Sequence, residues 1–150
     1  MKTAIALLLT AFLAAACERA PEEPRVTVAD AVVTLPAAPG RPGAAYFTLT
    51  TNHDPTRLLA ISSPNARRIE LHETMGMGGM SRMAPLADAG FRPDHPLTFA
   101  PGGRHVMLFD LDPRLRPGSR IRLTFRFDPA PPVTVEAEVR APGDVGHNGH

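Results

Sequence analysis

Cysteine is almost absent from this 150-residue chain, and Cys17 is the only one. A lone thiol cannot close an internal disulfide, so the fold must be held by its core. Tryptophan is missing, tyrosine occurs once, and Lys2 is the sole lysine. Beyond Lys2 the charges are fifteen Arg against fifteen Asp plus Glu, a formal balance when His is neutral. No basic excess supports nucleic-acid binding or a polybasic membrane patch. A sustained 3.6-residue period is also lacking, as is any internal repeat. The serines have no paired His and acid, no glycine loop is built to cradle a phosphate, and the carboxylates are dispersed. No catalytic constellation emerges, so an enzyme is not expected.

What is present begins with a leader. Met1-Lys2 gives a short basic start, and Ala4 to Ala16 gives thirteen uncharged apolar or small residues. That run is too short to span a bilayer as a helix and fits an export signal over residues 1–16. Ala14-Ala15-Ala16 then meets Cys17. Two readings stay open: a leftover thiol beside the cleavage site, or a lipobox cysteine that carries the lipid anchor of a membrane-attached lipoprotein. The lipobox is favoured, although Leu13 stands one place too early for the commoner pattern. Residues 17–24 are charged and proline-bearing and read as a tether. Export places the protein in the periplasm or cell envelope, with membrane contact only through that anchor.

Residues 25–141 read as one domain of short strands bounded by Pro, Gly, Asn and Asp clusters, an all-β sandwich or barrel. Ile121, Leu123, Phe125 and Phe127 alternate with Arg120, Arg122, Thr124 and Arg126. Val133 to Val139 alternates likewise against Thr134, Glu136 and Glu138. An antiparallel hairpin with arginines opposite glutamates is the simplest pairing. Residues 142–150 form a glycine-rich tail that ends in His147 and His150.

Methionine has an uneven distribution. Beyond the initiator there are five, Met75, Met77, Met80, Met83 and Met107, and none lies in a segment that reads as core. Gap-filling methionines would be scattered among apolar positions. His72 precedes Met83 by ten intervening residues, Met83 precedes His105 by twenty-one, and one residue separates His105 from Met107. Ile69 and Leu71 take the inward parity of their strand, which puts His72 on the outward face with Arg68 and Glu70. His105 and Met107 are two apart on one strand, so they share a face at about 7 Å. Two imidazoles with two thioethers form a soft donor set that suits Cu(I) and that hard cations ignore. The lack of a cysteine ligand argues against a blue-copper electron carrier.

The pattern His-x10-Met-x21-His-x-Met, together with the run from Pro101 to Leu108, resembles the PCu(A)C-type periplasmic copper chaperones over Val26 to Val139. That resemblance implies a cupredoxin-like Greek-key β-sandwich holding one Cu(I) through His72, Met83, His105 and Met107. It further implies delivery of copper towards the copper centre of cytochrome c oxidase. The partners implied are the oxidase's copper-accepting domain and a thiol-bearing copper assembly protein, with the chaperone itself a monomer.

Between His72 and Met83, three glycines and Met75, Met77 and Met80 suggest a mobile, sulfur-rich lip rather than a strand throughout. Any of the three could serve as an auxiliary thioether or replace Met83. His147 and His150 suggest a secondary Cu(II) site, since imidazole suits that ion. His53 and His95 fall in turns and read as solvent-exposed. Two other functions share these residues: periplasmic copper sequestration, and a non-metal interaction sandwich in which the spacing is accidental.

Overall fold

The structure is a computed structural model that describes residues 25–77 and 79–144. The leader, Cys17, the tether, His147 and His150 lie outside the described residues. Among those described there is no helix. Ten strands run in chain order: β1 (Val26–Thr34), β2 (Gly43–Thr51), β3 (Thr56–Ser62), β4 (Ala66–Met77), β5 (Met80–Pro85), β6 (Gly90–Phe91), β7 (Leu97–Phe99), β8 (Arg104–Leu111), β9 (Arg120–Asp128) and β10 (Val133–Arg140). They form one sheet in the order β5-β4-β8-β2-β1-β10-β9-β3-β6, with β7 paired to β2. β1 and β10 are parallel and the other pairs antiparallel.

Period-2 alternation dictates how this sheet folds on itself. In β2 every second residue is buried, and Ala45, Phe47 and Leu49 face inward. Ile121, Leu123, Phe125 and Phe127 do the same from β9. Phe47 meets Phe99 at 4.5 Å and Phe125 edge-on at 4.9 Å between ring centroids. These rings join Val106, Leu108, Ala137 and Val139 in one core. The β9–β10 hairpin forms as expected, with Arg122 opposite Glu136 and its Nε donating to Glu136 Oε1 at 3.1 Å.

β1 bulges between Ala29 and Val32, where Asp30 takes φ of +54°. The extra residue resets the inward parity, which is why alternation fades there. One segment differs from expectation, the stretch between His72 and Met83. Residues 73–82 do not make a loose lip: β4 runs on to Met77 and pairs residue by residue with β5. Gly79, at φ of +83°, lies in the turn just before Met80, which pairs with Met77. Glycine serves here as a hairpin residue, and backbone pairing overrides its low strand propensity.

Candidate metal centre

β5, β4 and β8 lie side by side at one edge of the sheet. In the β4–β8 ladder His72 stands directly opposite His105, and Glu70 opposite Met107. In the β4–β5 ladder Thr74 stands opposite Met83, and His72 opposite Pro85. Directly opposed residues share a face, and diagonal neighbours on that face are close enough for long side chains to meet. His72, Met83, His105 and Met107 therefore occupy one face of three adjacent strands. Ile69, Leu71, Val106 and Leu108 take the other face, towards the core.

The register places Met75 opposite Arg82 and Met80 opposite Met77, positions of the other parity. Met75 and Met80 thus stand on the reverse face of the hairpin from Met83. A period of two forbids either from replacing Met83 without a register slip.

The imidazoles are not on an open wet face. The His72 side chain is 17% exposed and His105 is 8% exposed, whereas Met83 is 51% exposed. The two rings lie 6.1 Å apart between centroids, with 24° between their planes. Two imidazoles that share an ion at about 2 Å per nitrogen–metal bond span a comparable distance.

Hydrogen bonding sets each tautomer. His72 Nε2 lies 3.0 Å from Glu70 Oε2, and an ionised carboxylate only accepts, so Nε2–H donates. His105 Nδ1 lies 3.0 Å from the Gly103 carbonyl oxygen, so there Nδ1–H donates. The opposite nitrogen of each ring, His72 Nδ1 and His105 Nε2, is buried with no hydrogen-bond partner among the described residues. A buried polar atom left unsatisfied costs about 1–3 kcal/mol. Two such atoms, on imidazoles paired across a ladder and flanked by thioether positions, fit a soft metal ion. Among the described residues no group of three or more His, Cys, Asp or Glu could hold a harder one.

Sequence reasoning placed Glu70 on this face and gave it no role. Its carboxylate is held below the usual range, first by the His72 hydrogen bond and then by the charge and hydrogen bonds of Arg68. Arg68 pairs with Glu70 Oε1, and its guanidinium stacks 3.7 Å over the Phe109 ring. The signal was the i, i+2 spacing of Glu70 and His72, which puts both on one strand face. His53 and His95 are exposed turn residues beside Asp54 and Asp94.

The described residues are all-β in one folded sheet, and solved structures share this cupredoxin-like sandwich. The copper-bound PCuAC domain from PmoF2 superposes with a TM-score of 0.64 at 24% identity, covering 78% of this chain and 93% of that domain. The solution structure of CuI-DR1885 from Deinococcus radiodurans gives a TM-score of 0.57 at 30% identity, over 85% of this chain and 83% of that one. By sequence the chain belongs to the LpqE-like family of putative lipoproteins, whose model matches residues 26–139. The uncharacterized protein RP573 of Rickettsia prowazekii (strain Madrid E) is 34% identical over 94 residues, which is 57% of this chain and 48% of that protein. The matched stretch thus spans about half the length of that relative.

Proposed function

We propose that the protein is an extracytoplasmic Cu(I) carrier that binds one ion through His72, Met83, His105 and Met107 and gives it up to an oxidase copper centre. The observation that carries this reading is the pair of buried, partnerless nitrogens on His72 and His105, opposed across β4 and β8 on the face that Met83 and Met107 share. Copper in the PmoF2 domain and in DR1885 of the same fold supports the choice of metal. Neutral imidazole and thioether donors hold Cu(I) without a thiolate, which suits an oxidising compartment where thiols form disulfides. They also bind less tightly than thiolates, so release to a thiol-bearing acceptor runs downhill.

Strand β5 is the edge of the sheet, and Met83 on it is half exposed. An incoming ligand therefore has a route to the ion past Met83 while the imidazoles stay covered. Cys17 as the lipidated residue, consistent with the family's lipoprotein description, would tether the carrier to the envelope membrane. The transfer test mixes the Cu(I)-loaded protein with the apo copper-accepting domain of cytochrome c oxidase, with and without a thiol-bearing assembly protein. Copper should move to the acceptor in at least one mixture. One observation favours sequestration instead: both imidazoles are largely buried. Copper that stays put in both mixtures, yet yields to a strong chelator, selects that second reading.

A further inference from the structure

We propose that Glu70 is a positioning residue that holds His72 in its Nε2–H tautomer, so that His72 presents Nδ1 to copper while His105 presents Nε2. The inference rests on the copper-carrier reading above and adds the atoms that bind and the residue that selects them. Its basis is the asymmetry of the two imidazoles. His105 donates Nδ1–H to a main-chain carbonyl, and that arrangement leaves Nε2 bare. His72 has the reverse arrangement because the acceptor beside it is a side chain on its own strand face, two residues back.

Glu70 is itself held from both ends. Its Oε2 accepts from His72, and its Oε1 is paired with Arg68, whose guanidinium rests on Phe109 of the neighbouring strand. Arg68 and Phe109 are direct register partners, as are Glu70 and Met107 and as are His72 and His105. The orienting chain thus runs along the same two strands as three of the four ligands. A swing of the carboxylate must break the Arg68 pair, so the imidazole is fixed in rotation as well as in tautomer. Orienting partners of this kind fix ring geometry and raise the basicity of the ligating nitrogen, and their loss commonly lowers metal affinity about 10–100-fold.

Nearby carboxylates do not duplicate this role: Glu73 takes the opposite parity of β4, and Asp112, one residue past β8, is engaged by Arg114. Replacing Glu70 by leucine removes the acceptor and keeps bulk over the imidazole. Replacing it by glutamine keeps an acceptor oxygen and removes the charge, so it should rescue part of the function.

The test reads the metal-free protein first. Long-range ¹H–¹⁵N spectra of the imidazoles should show His72 protonated at Nε2 and His105 at Nδ1. In Glu70→Leu the His72 pattern should change to a tautomer mixture while His105 keeps its own. Competitive Cu(I) titration should then show a 10–100-fold loss for Glu70→Leu and a smaller loss for Glu70→Gln. In a His72→Ala background, Glu70→Leu should cause no further loss. An unaltered His72 tautomer in Glu70→Leu, or an equal loss with and without His72, overturns the positioning role. If His72→Ala alone leaves Cu(I) affinity unchanged, the copper-site reading fails instead. The two failures are therefore separable.

Discussion

His105→Leu should leave the metal-free protein as stable as the parent or more so, an unusual outcome for a residue 8% exposed. Substitutions at such positions ordinarily destabilise by about 1 kcal/mol or more. Here the imidazole brings one orphan, Nε2, whose burial costs about 1–3 kcal/mol. Its one favourable bond, Nδ1–H to Gly103 O, contributes about 0.5–1.5 kcal/mol. That carbonyl also accepts from Thr74 N at 3.2 Å, so removing the imidazole strands no further group. The balance is centred on a gain of about 1 kcal/mol, within a range from a loss of about 0.5 to a gain of about 2.5 kcal/mol. At roughly 3–5 °C per kcal/mol for a domain of this size, the metal-free melting temperature should rise by up to about 10 °C. Copper reverses the ranking. A ligand present at a thousandfold excess over its Kd stabilises by about 4 kcal/mol, and His105→Leu should forfeit most of that. Anaerobic melts of both proteins, with and without Cu(I), give all four values. A metal-free variant melting more than about 5 °C below the parent would refute the reasoning, because Nε2 would then have a partner.

The paired substitution of Met83 and Met107 by Leu removes both sulfurs at nearly constant volume. It should cost under about 1.5 kcal/mol of stability per site while Cu(I) affinity falls steeply, measured by chelator competition beside chemical denaturation. The carboxyl group of Asp112 is held at about 2 by hydrogen bonds from Arg114. A depressed carboxylate stabilises the fold above its unfolded value near 3.8 and loses that contribution as pH falls towards 2. Asp112→Asn should therefore be less stable than the parent at neutral pH, with the gap closing between pH 4 and 2 in pH-dependent urea unfolding. A Cβ at Gly43 would lie 2.6 Å from Thr34 O and 2.7 Å from Leu111 Cδ1, and main chain cannot yield as a side-chain tip can. Gly43→Ala should accordingly lose about 1–3 kcal/mol by denaturant midpoint. Deleting the residues after Pro142 should lower Cu(II) uptake and leave Cu(I) binding intact, by titration with each ion. Equal Cu(II) uptake would assign no metal role to His147 and His150.

Strand parity was the most legible part of the fold. Alternation identified β9 and β10 and put the core side of β4 on Ile69 and Leu71. It also set His105 and Met107 on one face and His72 outward. Two-residue β6 left no period to detect, although its buried Phe91 is an anchor in the core. The β4–β5 hairpin was hidden by its own composition. Glycine and methionine score poorly as strand formers, and only pairing along a neighbour reveals them as strand. The opposition of His72 to His105 is a cross-strand register, fixed by β8 pairing with β4 on one side and β2 on the other. No local spacing encodes it. Burial of the imidazoles was invisible for the same reason. Glu70 was within reach of local reasoning, because an acid two residues before an outward histidine shares its face.

Competitive titration of the purified protein with Cu(I) against a chromophoric chelator, in reducing buffer, addresses the central claim most directly. The parent should take up one Cu(I) per chain, and the variant combining His72→Ala, Met83→Leu, His105→Leu and Met107→Leu should take up none while still folding to an all-β circular-dichroism spectrum. A folded quadruple variant that holds Cu(I) as tightly as the parent would contradict the account.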